Sequence, residues 1–157
     1  MENRTLFFGD NLEILREKIP DEIFDLIYLD PPFNSKKDYN ILFKEGLHDS
    51  EAQVKAFEDS WHWNRDAENT FAELTGVKES KTKINQNIVD LMMALEKMVG
   101  KNDVLAYLTM MAVRLIELHR VLRRTGTVYL HCDPTASHYL KIVMDVVFGK
   151  NNFRNEI

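Results

Sequence analysis

Residues 24–34 read FDLIYLDPPFN, and this stretch decides the fold. Its first six residues form an apolar run that ends at Asp30 and two prolines. Dense apolar strands of this kind are typical of a parallel sheet that is covered on both faces. Residues 5–8 and 127–132 predict two more strands of the same type. We therefore predict an α/β fold with a mostly parallel sheet.

Helical patterns alternate with these predicted strands. Asp10, followed by Glu13, forms a start similar to a capping box, and the helical pattern continues to about Lys18. After the third predicted strand, Asp133 and Pro134 supply an N-cap and a first-turn proline for another helix. Strands that alternate with helices indicate the α/β class.

The longest predicted helix begins at Asn102 or Asp103. It is expected to end at Arg123 and Arg124, whose cations suit the negative helix terminus, with Gly126 as the stop. Six apolar residues at three- and four-residue spacing share its predicted buried face: Leu105, Leu108, Ala112, Leu115, Leu118 and Leu122.

Residues 34–101 are less regular and are predicted to form a long loop followed by a helical insertion. Residues 34–48 are polar with scattered aromatics, whereas residues 51–63 and 84–99 have helical patterns. A long loop directly after the carboxyl end of a strand is where α/β folds usually place function. We treat residues 1–157 as one unit without a second domain.

Composition restricts the function classes. The chain has 157 residues, 45% hydrophobic and 29% charged, which is typical of one soluble globular domain. No apolar run approaches the roughly 20 residues of a membrane span, so no membrane partner is expected. The single cysteine, Cys132, excludes an intramolecular disulfide and, without a secretory signal, favours the cytoplasm. The net charge of −5 gives no bulk attraction to DNA, although a local basic strip can still bind it.

The turn that follows the predicted strand at residues 24–29 contains groups that could bind a substrate. Because a residue before proline avoids helical angles, Asp30 and Pro31 are expected to stay extended. Prolines lack an N–H, so the turn offers acceptors and few donors, with the ring of Phe33 beside them. A flat ring with an exocyclic amine fits such a site, since the Asp30 carboxylate and the Pro31 carbonyl can accept its two N–H groups. The alternative is a sharp turn in which the aspartate serves only as a cap.

Three segments carry a family resemblance: GDNLEIL (9–15), FDLIYLDPPFNSKKDYN (24–40) and TGTVYLHCDPTASHYLK (125–141). Together they resemble the site-specific DNA amino-methyltransferases, including the type III modification subunits. The resemblance covers nearly the whole chain and fits the subgroup in which the catalytic half precedes the target-recognition region and the glycine-rich cofactor motif. The resemblance implies a Rossmann-like fold and an enzyme that uses S-adenosylmethionine. It also implies that this enzyme acts in restriction-modification or as an orphan modification enzyme.

The resemblance assigns the catalytic motif to Asp30, Pro31, Pro32 and Phe33. It implies that the acceptors bind the amine and that the ring stacks on a flipped base, because the target atom is unreachable inside a duplex. Family members with Asp at the first position mostly methylate adenine N6. Cytosine-N4 enzymes tend to have Ser there, and enzymes that methylate glutamine in proteins usually have Asn. Adenine in double-stranded DNA is therefore the expected substrate.

Two sets of ligand contacts are expected beyond the motif. In the resembling family an acidic residue near Asp10 lies beside the adenine of the methyl donor; the alternative is an N-cap, and both roles can hold. Phosphate contacts are expected from residues that follow the catalytic turn, although lysines in a polar loop are most often simply solvated. These residues are Asn34, Ser35, Lys36, Lys37 and Lys44.

A metal site is not expected. His131, Cys132, Asp133 and His138 lie close in sequence, but their spacing fits no standard zinc set. A strand also places His131 and Cys132 on opposite faces. We interpret the four as strand-end and capping residues.

The sequence lacks the glycine-rich turn that holds the cofactor in this family. Its six glycines are scattered at positions 9, 46, 76, 100, 126 and 149. We expect an apparently incomplete methyltransferase fold, the amino-terminal part of a longer enzyme or a truncated gene product, which alone binds S-adenosylmethionine poorly. The alternatives are a catalytically inactive DNA-binding or assembly fragment and a methyltransferase acting on protein or RNA. A restriction nuclease subunit or a second copy of the chain are the candidate protein partners.

Overall fold

The computed structural model describes residues 4–31 and 62–157. Within them, the chain forms a mixed α/β fold in which helices pack against one face of a pair of parallel strands. The elements follow in the order α1 (Asn11–Lys18), β1 (Phe24–Leu29), α2 (Arg65–Leu74), α3 (Gln86–Val99), α4 (Asp103–Val121), β2 (Leu122–Leu130) and α5 (Pro134–Met144). A π-helical turn (Asp145–Gly149) and a 3-10 turn (Lys150–Asn152) come after α5.

Helix α4 is the centre of the core. It begins at Asp103, one of the two predicted starts, and the side chain of its N-cap, Asn102, accepts a hydrogen bond from the Leu105 amide. The helix contacts α1, α2, α3 and α5. All six residues of its predicted apolar face are buried. Eight other residues of the helix are buried as well, because partners surround it: Ala106, Tyr107, Thr109, Met110, Met111, Val113, Glu117 and Val121.

The predicted end of this helix was wrong. Helix α4 ends at Val121 and the chain enters β2 at once, so Arg123, Arg124 and Gly126 lie in the strand. Pairing with β1 extends the backbone here, and a side chain at Gly126 has no room. A Cβ atom at that position would lie 2.6 Å from a Leu122 methyl carbon.

Strands β1 and β2 pair in parallel, as the apolar runs predicted. Phe24 lies opposite Leu122 and Leu26 lies opposite Thr127. Between these two pairs β2 therefore advances by five residues, whereas β1 advances by two. The extra residues form an irregularity of the bulge type. Regular pairing then continues to Leu29 and Leu130, and residues 131 and 132, included in the predicted strand, lie beyond β2.

Among the described residues, helices cover one face of this strand pair, whereas the sequence predicted a sheet covered on both faces. Ile27 is buried in a cluster with residues of α1 and α4, and Leu29 packs against that cluster. Leu29 and Leu130 also pack against the larger hydrophobic cluster around α4. The opposite face exposes Leu26 (59%) and Tyr28. In the described part of the chain, all helices that contact the pair lie on the Ile27 side, so the apolar character of β1 does not guarantee two covered faces.

The strand predicted at residues 5–8 is not formed. These residues have no regular secondary structure, and Leu6 is 97% exposed. A strand requires a hydrogen-bonded neighbour, and the described residues provide only the β1–β2 pair, which does not include this segment.

Most remaining helices follow the prediction. Helix α1 has Asp10 as its N-cap, α5 has Asp133 as N-cap with Pro134 in the first turn, and α3 nearly matches the predicted helical pattern over 84–99. Helix α2 was not predicted. The predicted loop at 34–48 and most of the helical pattern at 51–63 fall on residues outside the described part. Among the described residues, no helix is long and apolar enough to cross a membrane.

Candidate active site

Asp30 lies at the carboxyl edge of the strand pair, where the sequence predicted it. The last paired residues are Leu29 and Leu130, and the His131 amide donates a 2.8 Å hydrogen bond to the Leu29 carbonyl. This bond holds together the two backbone segments that follow β1 and β2. The Asp30 side chain is 60% exposed, whereas Pro31 is half-buried. The carboxylate is therefore accessible to solvent, and the strand pairing holds the backbone that precedes it.

The His131 imidazole lies within 4 Å of the Asp30 carboxylate. Its Nδ1 lies 3.9 Å from Asp30 Oδ1, and its side chain is 59% exposed. From the sequence, His131 is interpreted as a strand-end residue, and its proximity to Asp30 is not predicted. The signal was available in principle, because residues that follow two neighbouring parallel strands meet at the same sheet edge.

The remaining residues of the predicted catalytic and DNA-binding sets lie outside the described part of the chain. They are Pro32, Phe33, Asn34, Ser35, Lys36, Lys37 and Lys44. The aromatic stacking and phosphate contacts assigned to them stay predictions.

Asp10 caps helix α1 and is held by a cation. Its Oδ1 accepts a hydrogen bond from the Leu12 amide and another from Arg114 Nη2, each 2.8 Å long. Arg114 Nε also donates to the Asn11 side chain, so one guanidinium of α4 fixes the start of α1. Burial lowers the pKa of Arg114, and the charge of Asp10 opposes that shift. The capping role predicted for Asp10 is confirmed.

Asp10 also has the chemistry to contact one part of a methyl donor. The Asp10 side chain is 54% exposed, and both of its described hydrogen bonds use Oδ1. Its carboxylate can therefore accept a further donor such as an amino or hydroxyl group of a nucleoside. No two glycines of the sequence lie close enough to form a tight phosphate- or methionine-binding turn. The residues present fit one end of a nucleoside-containing donor.

Two of the four residues considered for a metal site, Asp133 and Cys132, have features that disfavour metal binding. The Asp133 carboxylate accepts hydrogen bonds from the Thr135 and Ala136 amides and caps α5. Burial, assisted by Glu156 and then Asp133, raises the pKa of the Cys132 thiol and so disfavours the thiolate that binds metals. Across residues 4–31 and 62–157, no group of three or more His, Cys, Asp or Glu side chains is arranged to hold a metal ion.

The arrangement suits recognition of a hydrogen-bond donor. An ionised carboxylate accepts bonds only, and this one projects from a rigid edge whose next residue is a proline without an N–H. The N–H groups of a neutral amine that approaches Asp30 could donate to the carboxylate oxygens and to the backbone carbonyl of Pro31. Such acceptors stabilise positive charge that develops on the nitrogen when it attacks an electrophile.

Comparison with known proteins gives a consistent pattern. Residues 24–157 match the DNA methylase family. The chain is similar to the Mod subunits of three type III restriction-modification enzymes. It is 25% identical over 147 residues to that of StyLTI from Salmonella typhimurium, 27% over 149 residues to that of EcoP15I from Escherichia coli, and 26% over 150 residues to that of EcoPI from Escherichia phage P1. These matches cover 92–94% of this chain but only 18–19% of the relatives, so the chain spans about a fifth of their length.

Proposed function

The chain belongs to the DNA methylase family, and from that premise we propose that it is the amino-terminal catalytic part of a site-specific DNA adenine-N6 methyltransferase. The proposed enzyme has a Rossmann-like fold of which residues 1–157 form one unit, with residues 34–101 as a loop and helical insertion. It uses S-adenosylmethionine as the methyl donor, acts on double-stranded DNA and works in the cytoplasm.

The observation that carries this proposal is the state of Asp30. In the part of the chain that the structure describes, no arginine or lysine is paired with its carboxylate, which is mostly exposed at the carboxyl edge of two parallel strands. Open α/β sheets bind ligands at this edge. A carboxylate that served only to stabilise the fold would be expected to be capped or paired.

In the proposed mechanism, the Asp30 carboxylate and the Pro31 carbonyl accept the two N–H groups of the adenine amine. S-adenosylmethionine supplies an electrophilic methyl group when it is bound. The acceptors draw the amine nitrogen toward tetrahedral geometry and stabilise the positive charge that forms on it as it attacks. The amine then loses one proton. A strong general base is unnecessary, because the proton leaves after the attack, when the nitrogen is acidic.

The base must leave the duplex for this chemistry. Flipping exposes the amine and costs unstacking energy, which stacking on an aromatic ring recovers. We assign that ring to Phe33, with Pro32 fixing its approach. Phosphate contacts beside the flipped base are assigned to the polar residues that follow: Asn34, Ser35, Lys36, Lys37 and Lys44.

Asp10 is the residue of this chain proposed to contact the methyl donor. Arg114 fixes Oδ1 of its carboxylate, which leaves the exposed side of the group oriented toward solvent. Because a glycine-rich turn is absent from the sequence, we expect the 157-residue chain alone to bind S-adenosylmethionine weakly. Titration calorimetry tests this expectation, and micromolar affinity would contradict it.

The similarity to these relatives extends the proposal to protein partners. All three are Mod subunits of type III restriction-modification enzymes. We therefore propose a role in restriction-modification, with a restriction nuclease subunit or a second copy of the chain as the protein partner.

The test of the proposed function is the identity of the methylated product. The enzyme that contains this chain should transfer a tritiated methyl group from S-adenosylmethionine to DNA, and hydrolysis should release the label as N6-methyladenine. Asp30→Ala should abolish incorporation, whereas Asp25→Ala, on the same strand but paired with Arg123, should retain it. Label in N4-methylcytosine, protein or RNA would refute the substrate assignment.

A second candidate function has one observation in its favour. The open face of the β1–β2 pair, defined by Leu26, Tyr28 and Tyr129, is apolar and exposed, as expected of an assembly surface. Under this alternative the chain is a catalytically inactive DNA-binding or assembly fragment. Methyl transfer by the isolated 157-residue chain would exclude it.

A further inference from the structure

The His131 imidazole stands where it can control the Asp30 carboxylate. Register places the two residues side by side, one step beyond the Leu29–Leu130 pair, and their Nδ1 and Oδ1 atoms are 3.9 Å apart. The His131 amide is bonded to the Leu29 carbonyl, so the backbone beneath both side chains is fixed. This proximity therefore follows from the strand pairing and not from the chance approach of two flexible loops.

We propose that His131 is a positioning residue that holds one oxygen of the Asp30 carboxylate and leaves the other for the substrate amine. This inference rests on the proposed function of Asp30. At 3.9 Å the two atoms form an ion pair if the ring is protonated, and a small side-chain rotation or one bridging water turns the contact into a hydrogen bond. A carboxylate fixed in this way presents its acceptor in one direction, as an in-line attack requires.

The charge on the imidazole then sets how strongly Asp30 can act. A protonated imidazole withdraws negative charge from the carboxylate and weakens its stabilisation of a cationic amine. A neutral imidazole orients the carboxylate without neutralising it. Histidine side chains change charge between about pH 5 and 8, so methyl transfer should accelerate as the pH rises through that interval.

Other titratable groups near His131 do not produce the same signature. Burial raises the pKa of Cys132 and, still more, that of Tyr107 on α4, so both stay protonated through neutral pH. Asp133 and Glu156 are charged groups near this segment, since the charge of each raises the pKa of Cys132. Histidine is the side-chain type whose charge ordinarily changes in the neutral range, so we assign the expected pH response to the imidazole.

The first test needs no catalysis. The Asp30 side-chain carboxyl 13C resonance is followed by NMR against pH in the 157-residue chain. Beside its own titration, we expect a second step between about pH 5 and 8, which reports the neighbouring imidazole. His131→Asn should remove that step, whereas the matched control His138→Asn, an exposed histidine on α5, should retain it. A missing step in the wild type, or a step that survives His131→Asn, would overturn the proposal.

The second test uses the methyltransferase that contains this chain. His131→Asn should lower kcat roughly tenfold, within the range found for residues that orient a functional group, with KM for DNA unchanged. Its kcat should also lose the rise across neutral pH, because asparagine does not titrate. An unaltered kcat and pH profile would refute the positioning role. Absence of methylation by the wild type at every pH would instead refute the proposed function, and the NMR result would still decide the coupling.

Discussion

The two ends of the parallel strand pair treat their carboxylates differently. Where β1 begins, Arg123 bonds both oxygens of Asp25 at 2.7 and 2.8 Å, and Asp21 is paired with Arg120. Where β1 ends, Asp30 has the imidazole of His131 at 3.9 Å. Three aspartates within ten residues thus differ in the partner that the fold supplies.

This difference separates carboxylates that stabilise the fold from one that is available to a ligand. Arginine satisfies a carboxylate bidentately and permanently, because its guanidinium does not lose its charge in proteins. The Arg120–Asp21 pair also ties α4 to the segment before β1, and the Arg123–Asp25 pair ties β2 to β1. At the second end a weaker and titratable partner leaves the acceptor capacity of Asp30 for use. Substitutions at the two ends of β1 are therefore expected to have effects of different size.

The largest effect is expected for Arg120→Ala. Arg120 bonds Glu117, whose side chain is 4% exposed, and also the carbonyls of Leu15 and Ile19. Its removal leaves a buried carboxylate unpaired, which should cost about 3 kcal/mol of unfolding free energy. Urea denaturation measures this loss. Arg124→Ala, an exposed neighbour, should change stability by less than about 0.5 kcal/mol, and equal effects for the two variants would contradict the assignment.

Making the second end resemble the first should impair catalysis. His131→Arg places a permanent cation beside Asp30, where a guanidinium can donate to both carboxylate oxygens, as Arg123 Nη1 does to those of Asp25. We expect kcat for methyl transfer to fall roughly tenfold or more, since neutralised acceptors stabilise the transition state less. The fold should remain intact, as thermal unfolding would show. A rate equal to that of the wild type would mean that the charge state of this edge is irrelevant.

The smallest effect is expected for Asp25→Asn. Both partners of this ion pair are largely exposed, 49% for Arg123 and 72% for Asp25. Pairs of this kind contribute about 0.2 to 1 kcal/mol, and salt at 1 M screens most of that. Chemical denaturation at low and high salt should therefore show a small loss that nearly vanishes in salt. A loss above about 2 kcal/mol would show that the first end is more tightly coupled to the core than its exposure indicates.

Local signals predicted the helices best. Asp10, Asn102 and Asp133 each bond amides within the next three residues, so their capping roles can be inferred from sequence. The end of α4 and the strand at residues 5–8 were predicted wrongly. Both depend on a partner strand, whose presence or absence the local sequence does not encode.

The site was predictable to the same limit. Asp30 stands at the sheet edge because an apolar strand and two prolines fix it there, and the sequence contains both. The role now proposed for His131 depends on Leu29 lying opposite Leu130. That register is set by the bulge after Leu122, a long-range feature that neither segment reveals alone.

The most direct test of the central claim compares Asp30→Asn with Asp25→Asn in one methyl-transfer assay. Asparagine preserves size and removes the charge at either end of β1. We predict that kcat falls about 100-fold for Asp30→Asn, the loss typical of removing one preorganised group from a transition-state site, and stays near the wild-type value for Asp25→Asn. Equal rates for the two variants would contradict the claim that the fold reserves Asp30 for the amine.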